Sequence, residues 1–166
     1  MSWNAFVLVF IFIAAVSDVR SRKMPHAFTV LGIIVGIVFH AWRGELASAL
    51  VASFLGFGLG LTLFRLGAIG GGDVKLITAL GALLGFQSWL VAMEAAWLVA
   101  GIIALVQIAR RRAFRQTLRN MGEILRGLRN NGLVAHPVIN VRNQAMIRAP
   151  FGVAAAVGTL IAVVRP

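Results

Sequence analysis

The stretch WNAFVLVFIFIAAVSDVRSRK, residues 3–23, runs from Trp3 to Ser17 without a charge and then meets Asp18, Arg20, Arg22 and Lys23 in close succession. An uncharged apolar run of this kind is the mark of a bilayer helix, which needs roughly 17 to 25 residues. No Lys or Arg precedes the run and the positive charges follow it. It therefore reads as a retained transmembrane helix and not as a signal peptide.

The rest of the chain repeats the pattern. Of 166 residues 60% are hydrophobic and 13% charged, a composition of integral membrane proteins and a poor one for a water-soluble domain. The sequence predicts an all-α, polytopic helix bundle with about six spans: Trp3 to Ser17, Ala27 to Trp42, Leu46 to Leu66, Val74 to Phe86, Trp89 to Ile108, and Pro150 to Val164. The fourth is the least secure by length and reads as a half-buried helix in a tight hairpin with the fifth, turning through Gln87 and Ser88. Small residues four apart (Gly32 and Gly36; Ala52, Gly56 and Gly60; Gly81 and Gly85) allow close helix approach in lipid. The chain is then one membrane domain, residues 1–166, with a basic amphipathic segment at about 110–149.

Orientation follows from the basic residues. Fourteen of the sixteen Lys and Arg fall on one side of the predicted spans, with only Arg43 and Arg165 on the other. The rich side is the cytoplasmic one, both termini lie outside, and the protein sits in the inner (plasma) membrane. The net charge of +11 is accounted for by this bias, and no nucleic-acid motif accompanies it, so nucleic acid is not a predicted partner. Between Arg110 and Asn131, Phe114, Leu118, Met121, Leu125 and Leu128 recur at helical steps among seven Arg. Such a helix lies on the anionic inner leaflet or over the cytoplasmic mouth of the bundle, or is a solvated topogenic loop. Asn130, Asn131 and Gly132 are its expected terminators.

Only five residues are acidic, and two of them, Asp18 and Asp73, fall at the cytoplasmic boundary although the sidedness comes from Lys and Arg alone. Ionisable groups at membrane depth are costly and are usually kept for a task. Asp73 follows Gly70, Gly71 and Gly72, a backbone without side chains along which an extended peptide could lie. Alone, that run reads as well as an interhelical turn with a capping aspartate. Two carboxyls at one face add another reading: one holds a proton while the other stays charged, and a water between them can attack a peptide carbonyl without metal or cofactor. Lys75 is close enough in sequence to bias Asp73, or else snorkels to headgroups, and with Gly70, Gly71 and Gly72 it is a candidate substrate-binding residue. No competing constellation is present. His26, His40 and His136 lack metal-ligand spacing, the serines lack a nucleophile elbow, and there is no cysteine. Glu94, inside the fifth span, either pairs within the bundle or snorkels outward.

The stretch from Asp18 through Met24, Pro25 and His26, the block Gly70-Gly71-Gly72-Asp73-Val74-Lys75-Leu76 and the late Pro150-Phe151-Gly152 together resemble the type IV prepilin peptidases, the GxGD membrane aspartic proteases, in the short six-span form of the tight-adherence (Flp-type) pilus enzymes. The resemblance implies Asp18 and Asp73 as the catalytic dyad. It implies a prepilin or pseudopilin as substrate, its basic leader cut at the cytoplasmic face after a glycine. Where the family often has Ile-Pro-Asn this chain has Met24-Pro25-His26, so no asparagine role is carried over. Longer members hold a Cys-rich zinc-binding insert and methylate the new N-terminus; without cysteine that insert is absent, and methyl transfer is not carried over. Two other classes share some of these features: presenilin-like proteases that cut within spans, and a transporter or assembly scaffold whose aspartates bind a proton or cation.

Overall fold

The computed structural model describes residues 2–21, 26–132, 140 and 150–165. Six helices occupy them: α1 (Trp3–Ser21), α2 (His26–Trp42), α3 (Leu46–Arg65), α4 (Gly71–Arg110), α5 (Phe114–Asn131) and α6 (Phe151–Val164). There is no strand among the described residues, in keeping with the all-α expectation. Arg22, Lys23, Met24, Pro25, His136, Arg142 and Arg148 lie outside the described residues, as does most of the amphipathic segment beyond Gly132. Helices α1, α3 and α4 contain stretches long and apolar enough to cross a membrane, and α2 and α6 are shorter apolar helices. The outward faces are apolar too, with Phe12, Phe54 and Leu98 each about 70% exposed. Such surface is a liability in water and ordinary in lipid.

The fourth and fifth predicted spans are the two limbs of α4, 40 residues in all and broken at Gly85. Straight, it would measure about 60 Å, twice the thickness of a bilayer core. It is not straight. Gly85 has φ 70° and ψ 173°, a conformation essentially confined to glycine. Beyond it the indole N–H of Trp89 donates to the carbonyl of Ile77 at 3.2 Å. Twelve residues along a straight helix would separate those groups by about 18 Å, so the chain folds back on itself. The reversal is therefore at Gly85, with Gln87 and Ser88 already helical, because glycine and not a polar pair supplies the required backbone angles. Gly85 is thus a turn residue and not a helix-packing one.

A reversal inside a helix strands backbone groups on both sides. Ser48 Oγ accepts the N–H of Phe86 at 2.8 Å and caps the limb that follows. The carbonyl of Leu83, at the end of the limb before, accepts the Trp3 indole N–H at 3.1 Å and faces His40 Nε2 at 3.3 Å. On its other side His40 Nδ1 lies 3.3 Å from Glu45. A Cβ on Gly85 would sit 3.1 Å from Ser48 Oγ and 3.2 Å from the His40 ring. Gly85→Ala is accordingly expected to destabilise the protein by about 1–3 kcal/mol through backbone strain, read as a lowered thermal midpoint in detergent; an unchanged midpoint would mean that the reversal is made elsewhere.

Small residues set the spacing of the bundle. A Cβ on Gly36 would fall 2.5 Å from the backbone of Ala82, and one on Gly81 2.6 Å from that of Ala52. Gly56 and Gly60 meet Ile77 and Val74, so α3 runs antiparallel to the first limb of α4. Gly158 of α6 is seated against Ala92 and Ala96 of the second limb, and Phe151 packs on Trp97. Phe10 stacks on Phe28, and Trp3 on Phe39, which makes α1 and α2 antiparallel. The core they enclose is Ile11, Leu76, Ile77, Leu80 and Leu83. These contacts give the bundle two distinct ends. Trp3, His40 and Gly85 mark one; the last turn of α1 and the starts of α4 and α6 mark the other.

Candidate active site

Asp18 belongs to the second end. Helix α1 continues to Ser21, so the carboxyl sits within its final turns and does not close the helix at Ser17. Its Oδ2 accepts the backbone N–H of Gly152 at 2.9 Å, across 134 residues of sequence. Gly152 is the second residue of α6, after Pro150 as N-cap and Phe151. The first N–H groups of a helix have no intrahelical acceptor, and an Asp at the N-cap usually serves them. Pro150 has no side-chain oxygen for this, and Asp18 supplies one from another helix.

The fit is close. A Cβ on Gly152 would lie 2.8 Å from both Cβ and Oδ2 of Asp18, so the carboxyl rests directly on the backbone of α6. The sequence singled out Pro150-Phe151-Gly152 without a role. A glycine beside a proline at the start of an apolar run was the available signal, but nothing local says which carboxyl it receives.

Asp73 sits at the start of α4. Gly70 is the N-cap, in extended conformation, and Gly71 opens the helix. Asp73 Oδ2 accepts the N–H of Gly70 at 2.9 Å, while the carbonyl of Gly70 receives the N–H of Asp73 at 3.1 Å. The side-chain bond is one half of a capping box, since Gly70 has no side chain to return it; Asp73 therefore does cap the helix start, but from the third helical position, and the N-cap place that the sequence suggested for it is taken by Gly70. Of the glycine run only Gly70 is extended; Gly71 and Gly72 are helical. The backbone along which a peptide could lie is therefore shorter than the sequence alone suggests.

Both aspartates lie at the same end of the bundle, and Asp18 acts electrostatically on Asp73. Both are half-buried, and each has one oxygen fixed by a backbone N–H at a helix start. Lys75 follows Asp73 by two residues on α4. Residues two apart on a helix do not share a face, so the Cβ atoms of Lys75 and Asp73 leave α4 in different directions. His40 is drawn into the opposite end of the bundle. Glu94 lies exposed on the second limb of α4.

The sequence profile of the type IV leader peptidase family matches residues 5–105, a span that holds both aspartates. The chain belongs to that family. It is also 34% identical over 80 residues to the prepilin peptidase EppA of Methanocaldococcus jannaschii, a stretch that covers 48% of this chain and 23% of that relative. No solved structure matches the chain. Pro150, Phe151 and Gly152 lie beyond the residues matched to the family, and it is geometry that joins them to Asp18.

Proposed function

We propose that this chain is a membrane aspartic endopeptidase that cuts the basic leader from type IV prepilins or pseudopilins at the cytoplasmic face of the inner membrane, with Asp18 and Asp73 as its dyad. The observation that carries the reading is the placement of the two carboxyls at one end of the bundle, each anchored through Oδ2 to a helix-start N–H. Anchoring fixes the direction of each carboxyl, and fixed catalytic groups are worth orders of magnitude over mobile ones. The Oδ1 oxygens are assigned to the water, one carboxylate taking its proton as it attacks the peptide carbonyl and the other carboxyl giving one to the departing nitrogen. Gly70, extended and without a side chain, is assigned to the substrate backbone, and Lys75 to a more peripheral contact with the peptide.

Incubation of the purified full-length protein with a synthetic prepilin tests this directly. Release of the leader peptide is expected, and EDTA is expected not to inhibit, since two carboxyls and a water complete the chemistry. No release from any prepilin or pseudopilin offered would overturn the assignment.

The cytoplasmic placement rests on the basic residues and on α5. Phe114, Leu118, Met121 and Leu125 form an exposed stripe along this helix, and Gly132 ends it with φ 70°, the usual left-handed terminus. An exposed apolar stripe beside Arg115, Arg119 and Arg126 suits the boundary of an anionic leaflet, where the stripe enters the acyl region and the guanidinium groups meet headgroups. Because the chain has no cysteine, single cysteines report sidedness cleanly. A cysteine at Arg119 is expected to react only from the cytoplasmic side and one at Arg165 only from outside. The reverse result would place the aspartates away from cytoplasmic leaders.

A further inference from the structure

Helix α6 stands between the helices that carry the two aspartates. Direct contact between α1 and α4 is sparse, whereas α6 packs on both. Its first two residues divide that work. Neighbouring positions leave a helix about 100° apart, and here Phe151 meets α4 while Gly152 meets α1. Phe151 is buried, and its ring lies 5.2 Å from that of Trp97, centroid to centroid, tilted by 45°. Gly152 gives its N–H to Asp18 at 2.9 Å. That N–H lies in the same rigid peptide plane as the carbonyl of Phe151, so whatever seats Phe151 also aims the donor. Pro150, the N-cap, makes no side-chain bond that would do so.

Trp97 is also at the right depth. Asp73 lies twelve residues before the reversal at Gly85 and Trp97 twelve residues after it, so each stands about 18 Å from the turn on its own limb. The indole, half-buried against the core, is thus level with Asp73 on the opposite limb. We propose that Trp97 is a positioning residue for the dyad: by seating Phe151 it holds the Gly152 N–H, and through it the Asp18 carboxyl, at the level of Asp73. The route runs from Asp73 along the α4 hairpin to Trp97, across to Phe151, and through Gly152 to Asp18. Trp97 therefore acts through α6 and not on the peptide. The inference rests on the assignment of Asp18 and Asp73 as the catalytic pair.

Purified full-length protein in detergent micelles, with a synthetic prepilin as substrate, tests the proposal. Trp97→Ala is expected to lower kcat per folded molecule by roughly tenfold or more and to leave KM near wild type, since displacing a catalytic group acts on the rate and not on peptide binding. Trp97→Phe, which keeps a ring for Phe151 to pack on, should recover the rate to within about threefold of wild type. Trp89→Ala is the comparison. This tryptophan is buried on the same limb but against Gly56 of α3, and its loss should lower the thermal midpoint without lowering kcat per folded molecule. A second measurement does not depend on cleavage. In protein with isotopically labelled glycine, the Gly152 amide proton resonates downfield while a carboxylate holds it, and Trp97→Ala should move it toward its position in Asp18→Ala. If Trp97→Ala does not fold, Trp97→Leu takes its place in both measurements. A wild-type kcat in Trp97→Ala, a loss confined to KM, an equal fall in Trp89→Ala or an unmoved Gly152 amide would overturn the proposal. A wild-type protein that releases no leader would overturn the peptidase reading instead, and the amide signal would still decide whether Trp97 positions Asp18.

Discussion

Asp18→Asn and Asp73→Asn are each expected to reduce leader cleavage by at least about 10² to 10⁴-fold, the usual contribution of a general acid or base. The amide keeps the shape of the carboxyl and an oxygen that can accept from Gly152 or Gly70, so the anchoring hydrogen bonds at 2.9 Å survive in the variants. What is lost is the exchange of a proton with water. The folded fraction and the thermal midpoint should therefore change little, which separates the chemical role from the capping role that Asp73 also fills. Groups that act as a unit are grossly non-additive, and the double variant should be scarcely slower than either single one. The readout is leader release from purified protein at equal folded concentration. If either single variant processed prepilin at near wild-type rate, the dyad would be wrong, and a scaffold or transport role for the aspartates would take its place.

The bundle was largely legible in the sequence because hydropathy reports directly on what lipid requires. A helix such as α3 needs only length and apolarity to be placed, and Gly56 and Gly60 announce its close face. The reversal in α4 was not legible at its true position. Gln87 and Ser88 look more like a turn than Gly85 does, and the deciding facts are the cap from Ser48 and the carbonyl of Leu83 held by Trp3 and His40. Those partners are 38 to 80 residues away, and no local pattern carries them. That the two aspartates share one end of the bundle was legible through an indirect route, the count of basic residues on either side. Their anchoring was half legible. The Asp73 contact to Gly70 is a local capping pattern three residues long, whereas the Asp18 contact to Gly152 exists only once α1 and α6 are packed.

That second contact supports the other large effect. Gly152→Ala would place a methyl group 2.8 Å from both Cβ and Oδ2 of Asp18 and 3.1 Å from Cγ, distances that side chains do not tolerate. Because Cβ of Asp18 is fixed to α1, rotating the carboxyl does not relieve the clash, and either the start of α6 moves away or α1 does. The hydrogen bond to Oδ2 stretches in both cases, and one to a charged group is worth about 1.5–3 kcal/mol. A displacement approaching an ångström at a catalytic group can cost about 10²-fold in rate. Gly152→Ala is therefore expected to lower kcat for leader release by roughly that factor, with a smaller effect on KM because the substrate contacts assigned to Gly70 remain. Gly158→Ala is the informative comparison. It introduces a still closer contact, against the carbonyl of Ala92, but nearly two turns further along α6 and away from both carboxyls. It should lower stability while leaving the rate per folded molecule near wild type. Were Gly152→Ala as active per folded molecule as Gly158→Ala, the contact between α6 and Asp18 would be packing alone, and Asp18 would owe its position to α1.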